Sequence, residues 1–394
     1  MNASAPVMQA RNATRSPLAR FDTVMLAVLS CILLLGLVMV TSASITIAGH
    51  EGNGDPFAYL ERQLVLTCFG VLLGALAFSV PIDKLERLAL PLLYTSLLLL
   101  LLVLVPGLGH KVNGSRRWLR LAGLNFQVSE AVRVLVMIYI AAYAVKYEQA
   151  LRQSLGGLVR PLGLLCLVGA LLLAEPDFGA AAVLMVAGFG VLFLAGAQLR
   201  WVLAAVGLLG GAMTLLVVFS RYRMQRLLTF LDPWADPFNS GFQLTQSLIA
   251  VGRGEWFGVG LGASVQKLFY LPEAHNDFLF AVLAEELGLV GVVVTLGLFL
   301  ALAWRVLLTA RRAFDAGMKF HAYLAAGFGL WVGVQAFINI AINMGALPTK
   351  GLTLPFMSYG RSSMLVTLAW VGVILRVQYE LSAGRNAVTR ERVR

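Results

Sequence analysis

Charge is scarce in this sequence. Asp, Glu, Lys and Arg together make 13% of its 394 residues, against about a quarter in soluble domains. That shortage excludes an ordinary water-soluble fold. Cysteine is scarcer still, and Cys31, Cys68 and Cys166 each fall inside an apolar run, where a thiol behaves as a small hydrophobe. Their spacing matches neither a disulfide framework nor a zinc site. Tandem repeats and low-complexity segments are lacking, and the apolar runs show none of the period-two alternation of barrel strands.

Apolar residues fill the space that charge leaves: 59% of the chain is hydrophobic and the mean hydropathy is +0.81. In lipid every backbone polar group must be satisfied internally, so long apolar runs without alternation have to be helices. Such runs fall near 22–44, 64–80, 88–105, 128–145, 161–174, 178–196, 201–219, 278–304, 322–343 and 362–379. The expectation is an all-α polytopic membrane protein of about ten spanning helices. Residues 1–21 are too polar for a signal peptide, so they read as a cytoplasmic tail before a retained first helix. A ten-helix domain over 22–379 and a basic cytoplasmic tail over 380–394 follow, with one large outer loop, 220–277, between the seventh and eighth helices.

Ten spans put both ends on one side. With the ends cytoplasmic, 18 of the 31 Lys and Arg lie inside and 12 outside, with Arg133 within a span, as the positive-inside rule requires. The net charge of +11 is thus a membrane signal, and no nucleic-acid partner is implied. The outer face is nevertheless unusually basic: Arg116, Arg117 and Arg120 flank Trp118, and Arg221, Arg223 and Arg226 alternate with Tyr222 and Met224. Arginine suits bidentate phosphate recognition, so these segments point to an anionic lipid headgroup such as a pyrophosphate. Attraction to ordinary anionic lipid is the plainer reading.

Ionisable residues at membrane depth mark functional sites by default. Glu130 and Arg133 stand at i, i+3, one turn apart, and form a candidate ion pair, whether functional or a packing device. Glu175-Pro176-Asp177 interrupts an apolar stretch, where proline breaks the helix. Asp277 precedes the eighth helix beside apolar Phe278 and Leu279, and that helix then carries Glu285 and Glu286. A carboxylate so placed suits a general base for a hydroxyl, its pKa raised by desolvation; it equally suits a helix N-cap. His275 beside it is a weak metal signal.

Several ordered blocks carry a resemblance to a known family. They are Glu175-Pro176-Asp177-Phe178-Gly179, Asp232-Pro233-Trp234-Ala235-Asp236-Pro237-Phe238, Ser264-Val265-Gln266-Lys267, Leu271-Pro272-Glu273-Ala274-His275, and Leu347-Pro348-Thr349-Lys350-Gly351. The chain resembles the SEDS family of peptidoglycan polymerases, and at Lys350 its division branch (FtsW) rather than its elongation branch (RodA). The resemblance implies an inverting glycosyltransferase that polymerises lipid II at the septum, with undecaprenyl pyrophosphate as leaving group and the active site facing the periplasm across the bacterial inner membrane. It implies Asp277 as catalytic base and Arg117, Glu130, Arg133, Asp177, Arg223, Arg226, Lys350 and Ser358 as substrate-binding residues. A divalent cation, magnesium or manganese, is the one cofactor it allows; its ligands are not identifiable, and no organic cofactor is implied. The implied partners are an FtsI-like class B penicillin-binding protein and single-span divisome regulators of the FtsQ, FtsL and FtsB kind.

The chain departs from that pattern at Asn276, Val128, Arg133 and Arg361. Arg361 stands where the family has a glycine; it reads either as a pyrophosphate ligand or as a strained backbone position, and the expectation is the second, relieved by Arg361→Gly. Two rival functions remain, a lipid II flippase and a catalytically inactive divisome scaffold. Matching interrupted helices in the two halves, expected of many transporters, are not seen.

Overall fold

In the computed structural model the described residues are 21–51, 55–112, 115–121 and 124–393. The helices are α1 (Thr23–Glu51), α2 (Ala58–Ser79), α3 (Ile82–Arg87), α4 (Ala89–Leu104), α5 (Val128–Lys146), α6 (Glu148–Gln153) and α7 (Leu155–Ala174). They continue with α8 (Phe178–Leu194), α9 (Leu199–Val218), α10 (Arg221–Leu231), α11 (Phe242–Arg253), α12 (Leu279–Asp315), α13 (Lys319–Asn343) and α14 (Arg361–Val393). Among the described residues seven helices are long and apolar enough to cross a membrane, namely α1, α2, α5, α7, α12, α13 and α14. Shorter apolar helices lie at Ala89–Leu104, Phe178–Leu194 and Leu199–Leu208. The break between α7 and α8 falls at Glu175-Pro176-Asp177, because proline cannot continue the α7 hydrogen-bond ladder.

The bundle has a built-in ruler. At one end Arg305 of α12 pairs with Asp22 before α1 at 2.6 Å; at the other, Ser42 of α1 donates to Glu286 of α12 at 2.7 Å. Some 20 residues of helix separate the two ties, about 30 Å, which is the thickness of a bilayer's hydrocarbon core. Just inside the second tie, α12 kinks at Gly288, whose φ is +64°. The backbone groups freed there are taken up by the preceding loop: Leu289 N–H donates to Glu255 O at 2.9 Å and Val259 N–H donates to Glu285 O at 3.0 Å. A Cβ at 288 would lie 2.3 Å from Gly258 N, so only glycine permits this contact.

Two expectations are corrected. The fold is not purely helical: β1 (Gly109–Val112), β2 (Ser115–Leu121) and β3 (Leu124–Gln127) form an antiparallel sheet in the order β1-β2-β3. Arg116, Trp118 and Arg120 alternate with Arg117 and Leu119, the period of a strand with two different faces. The second correction concerns Arg361. It opens α14 in helical conformation, is absent from the residues with positive φ, and is exposed. No backbone strain exists there for glycine to relieve.

Candidate active site

The site is built on a polar stripe of α13. Gln335, Asn339 and Asn343 recur every four residues, so they share one face of the helix. Asn339 Nδ2 and Asn343 Nδ2 both donate to the carbonyl of Asp277, at 3.0 and 3.1 Å. Asn339 also donates to Leu352 O at 2.5 Å, and Asn343 Oδ1 accepts from Ala281 N–H at 3.1 Å. Gln335 donates to Thr353 O at 2.9 Å. One helix face thus fixes both the start of α12 and the 351–354 segment opposite it. None of the three residues was singled out from the sequence, although polar residues at i, i+4, i+8 in an apolar helix were the available signal.

This scaffold leaves the Asp277 carboxylate free of a capping role. Phe278 occupies the N-cap position of α12 and no side chain caps the helix. The carboxylate lies against Gly351, where an added Cβ would stand 2.9 Å from Asp277 Oδ2. Asp277 is only half-buried by exposure, yet it sits deep among protein atoms. Burial raises its pKa from 3.8 to about 7, the Glu273 and Asp177 carboxylates add to the rise, and Arg117 opposes it. The same influences place Arg117 and Asp177 within electrostatic reach of Asp277.

Strand alternation explains how Arg117 gets there. Leu119 packs against the core, and Arg117, two residues earlier, shares its inward face. Its guanidinium spans the break between α7 and α8, donating from Nε to Glu175 O at 3.1 Å and from Nη2 to Pro176 O. Asp177 caps α8 by accepting from Ala180 N–H at 3.1 Å. Its other oxygen accepts from Ser129 Oγ at 2.9 Å and Gln127 Nε2 at 3.2 Å, tying α8 to the start of α5. Arg117 Nη1 approaches Asp177 Oδ1 to 4.0 Å. Glu175 is fully buried, and burial, aided by Asp177, pushes its pKa to about 8 against the pull of Arg117. At neutral pH it keeps its proton, so this wall carries one net acid rather than two.

The remaining candidates divide. Lys350, next to Gly351, places its ammonium 4.4 Å from the ring centroid of Phe178, the first residue of α8, and so joins the wall formed by Asp177 and Arg117. Glu130 and Arg133 are buried and pair directly; Arg133 also donates to Gln335 Oε1 at 2.7 Å and lies 5.4 Å over Trp331. They brace α5 against the polar stripe of α13. Ser358 is buried, and its hydroxyl accepts from Leu354 N–H at 2.9 Å, closing a turn. The side chains of Arg223 and Arg226, on α10, lie outside the described residues. His275 packs edge-on to Tyr59 and tilted against Tyr359, ring centroids 5.0 and 5.7 Å away.

Glu285 and Glu286 form a separate, fully partnered cluster. Glu285 accepts from Ser264 Oγ at 2.5 Å and pairs with Arg253 at 3.2 Å, while Glu286 pairs with Lys267 at 2.7 Å. They hold the 253–267 segment on α12 and α1. Beside Gly351, a carboxylate poised to take a proton lies within electrostatic reach of Arg117, and Lys350 is the residue before that glycine. That pairing suits transfer from a hydroxyl to a centre whose leaving group is an anion.

The chain is similar to known proteins over most of its length. The FtsW/RodA/SpoVE family model, described as cell cycle protein, matches residues 22–383. A probable peptidoglycan glycosyltransferase FtsW of Thioalkalivibrio sulfidiphilus is 57% identical over 346 residues, covering 88% of this chain and 86% of the relative. Another from Methylococcus capsulatus is 51% identical, covering 92% and 91%. Among solved structures, a chain of a peptidoglycan synthase complex that coordinates polymerization and crosslinking superposes with a TM-score of 0.75 at 32% identity, over 92% of this chain and 98% of that one. The rod shape determining protein RodA of Thermus thermophilus gives 0.67 at 30%, over 91% and 97%.

Proposed function

The chain belongs to the FtsW/RodA/SpoVE family of cell cycle proteins, and from that premise we propose that it is a peptidoglycan glycosyltransferase that polymerises lipid II during septal wall synthesis. The observation that carries the reading is the Asp277 carboxylate, free of any capping duty and raised to about 7, set opposite the Arg117, Asp177 and Lys350 wall. A base is most useful when its pKa lies near the working pH.

In the proposed step Asp277 takes the proton of the acceptor sugar's 4-hydroxyl as that oxygen attacks the donor's anomeric carbon. The bond to undecaprenyl pyrophosphate breaks with inversion, and the pyrophosphate leaves with the electron pair. Arg117 and Lys350 receive its charge; arginine offers paired donors to phosphate oxygens and lysine a point charge. Arg223 and Arg226 belong to the same basic face by sequence and are proposed to guide the lipid headgroup. Glu130 and Arg133 support the recess from below, and Ser358 shapes the turn that follows Gly351.

Among the described residues no group of three or more His, Cys, Asp or Glu converges as a metal cage. Magnesium or manganese fits this donor set only as a substrate-borne ion, held between phosphate oxygens and one carboxylate, a common arrangement for magnesium. Such an ion would neutralise pyrophosphate charge; the proton transfer above needs only the chain's own residues.

The three shorter apolar helices, counted with the seven long ones, make ten spans with both ends cytoplasmic. The ruler of α1 and α12 supports this placement, since it leaves Asp277 beyond the outer tie and Arg305 at the inner one. The proposed site then opens to the periplasm, above the inner membrane. Likeness to a synthase complex that couples polymerization to crosslinking supports a class B penicillin-binding protein as partner, FtsI-like at the septum, with FtsQ-, FtsL- and FtsB-like regulators. Reconstituted protein supplied with lipid II tests the function: glycan ladders are expected, whereas translocation without polymer would identify a flippase, and neither activity a scaffold.

A further inference from the structure

At the end of the bundle opposite Asp277, a cavity of about 570 Å³ opens between α5, α6 and α7, walled by Tyr143, Tyr147, Ser154, Gly156, Val159 and Arg160 among others. This end is marked by the pairing of Lys319, at the start of α13, with Glu148 of α6 at 2.5 Å. Glu148 also pairs with Arg152 at 2.7 Å, so the local acid is already shared between two cations. Arg160 takes part in no ion pair among the described residues. Lys146 lies 5.5 Å over the ring of Tyr147, one of the cavity's walls.

Two of the cavity's other side-chain hydroxyls are spent within the protein. Tyr143 donates its hydroxyl to Gly157 O at 2.7 Å, and Ser154 Oγ donates to Ala150 O at 3.0 Å while accepting from Gly157 N–H. What remains is the Tyr147 hydroxyl and an unpaired guanidinium at the mouth of a tyrosine-walled hollow. From that mouth an apolar stripe runs along α7: Leu155 and Val159 are 44% and 52% exposed, Gly163 faces open space, and Cys166 and Leu167 continue the line.

We propose that this cavity is a binding site for an anionic glycerophospholipid of the leaflet opposite the active site, its phosphate on Arg160 and its acyl chains along the Leu155–Leu167 stripe. A basic pocket between helices at this membrane edge is suited to an acidic headgroup, and tyrosine to the headgroup layer. The apolar stripe favours a lipid over a free phosphate compound, which could use only the charged end. The site lies at the far end of the bundle from the polymerisation recess and does not depend on the reading of that recess.

The test titrates purified full-length protein in neutral detergent with short-chain phosphatidylglycerol, short-chain phosphatidylcholine and glycerol 3-phosphate. Binding is read by native mass spectrometry and by the thermal midpoint. Phosphatidylglycerol should bind and raise the midpoint, and the other two should not at equal concentration. Arg160→Gln should weaken phosphatidylglycerol binding by about fivefold or more, the loss expected for one cation near a lipid headgroup. Arg160→Lys should retain most of it. Gly156→Phe, which fills the cavity without changing charge, should abolish it and guards against Arg160→Gln failing to fold. Undiminished binding in Gly156→Phe, or equal binding of phosphatidylcholine, would overturn the proposal. A full response to glycerol 3-phosphate alone would replace the lipid with a soluble phosphate ligand.

Discussion

Asp277→Asn removes a base and changes almost nothing else. The carboxylate caps no helix, and the carbonyl that Asn339 and Asn343 hold is untouched by the substitution. Polymerisation should fall by about 10²- to 10⁴-fold, the usual contribution of a positioned base. Stability should move the other way. Because the folded pKa, about 7, lies above the free value of 3.8, the folded state binds its proton more tightly than the unfolded chain. Below pH 3.8 both states are protonated and the site costs nothing. As pH rises toward 7 stability is lost, up to about 4 kcal/mol if the whole shift counted, and less because water screens a half-buried group. The Asn variant should therefore melt higher than the parent at pH 8 and alike near pH 4. The assay pairs glycan-ladder gels with thermal melts at both pH values. Wild-type ladders, or a variant that melts well below the parent at pH 8, would refute the reasoning.

Gly351→Ala should lower the polymerisation rate while sparing stability, because its Cβ would crowd Asp277 Oδ2 at 2.9 Å; an unchanged rate in steady-state assays would show that the contact does not matter. Glu130→Gln and Arg133→Gln should each cost about 3 to 5 kcal/mol, as breaking one side of a buried pair does, and should be strongly non-additive in a double-mutant cycle read by thermal unfolding. Arg361→Gly should leave the melting temperature nearly unchanged, within about 0.5 kcal/mol as for other exposed sites; a clear gain in melts would restore the strained-turn idea. Asn339→Leu should destabilise by roughly 1 to 3 kcal/mol, since it leaves the Leu352 carbonyl unsatisfied, and should reduce polymerisation as the 351–354 segment shifts.

The apolar runs were legible because lipid demands helices, and each run named from the sequence falls on a helix of the structure. Glu130 and Arg133 were legible as a pair because i, i+3 spacing fixes their distance before any tertiary contact forms. The small sheet was missed: its strands are only four to seven residues long, so their alternation is weak beside the helical signal. Gln335, Asn339 and Asn343 were in view as a stripe but were passed over for the charged residues. The reach of Arg117 across to the α7–α8 break, 58 residues away in sequence, depends on tertiary packing that no spacing rule reports. The tight approach of Gly351 to Asp277 is of the same kind. Asp277 itself was visible as a carboxylate at a helix start, but only the position of Phe278 as N-cap separates a base from a cap.

The rate of polymerisation as a function of pH tests the base assignment most directly. With lipid II limiting, kcat/KM of the parent should rise with a unit slope to a plateau, with a midpoint near the Asp277 value of about 7. The residual rate of Asp277→Asn should lack that limb. A parent profile already flat from pH 5 upward, or an unchanged limb in the variant, would contradict Asp277 as the group that takes the proton.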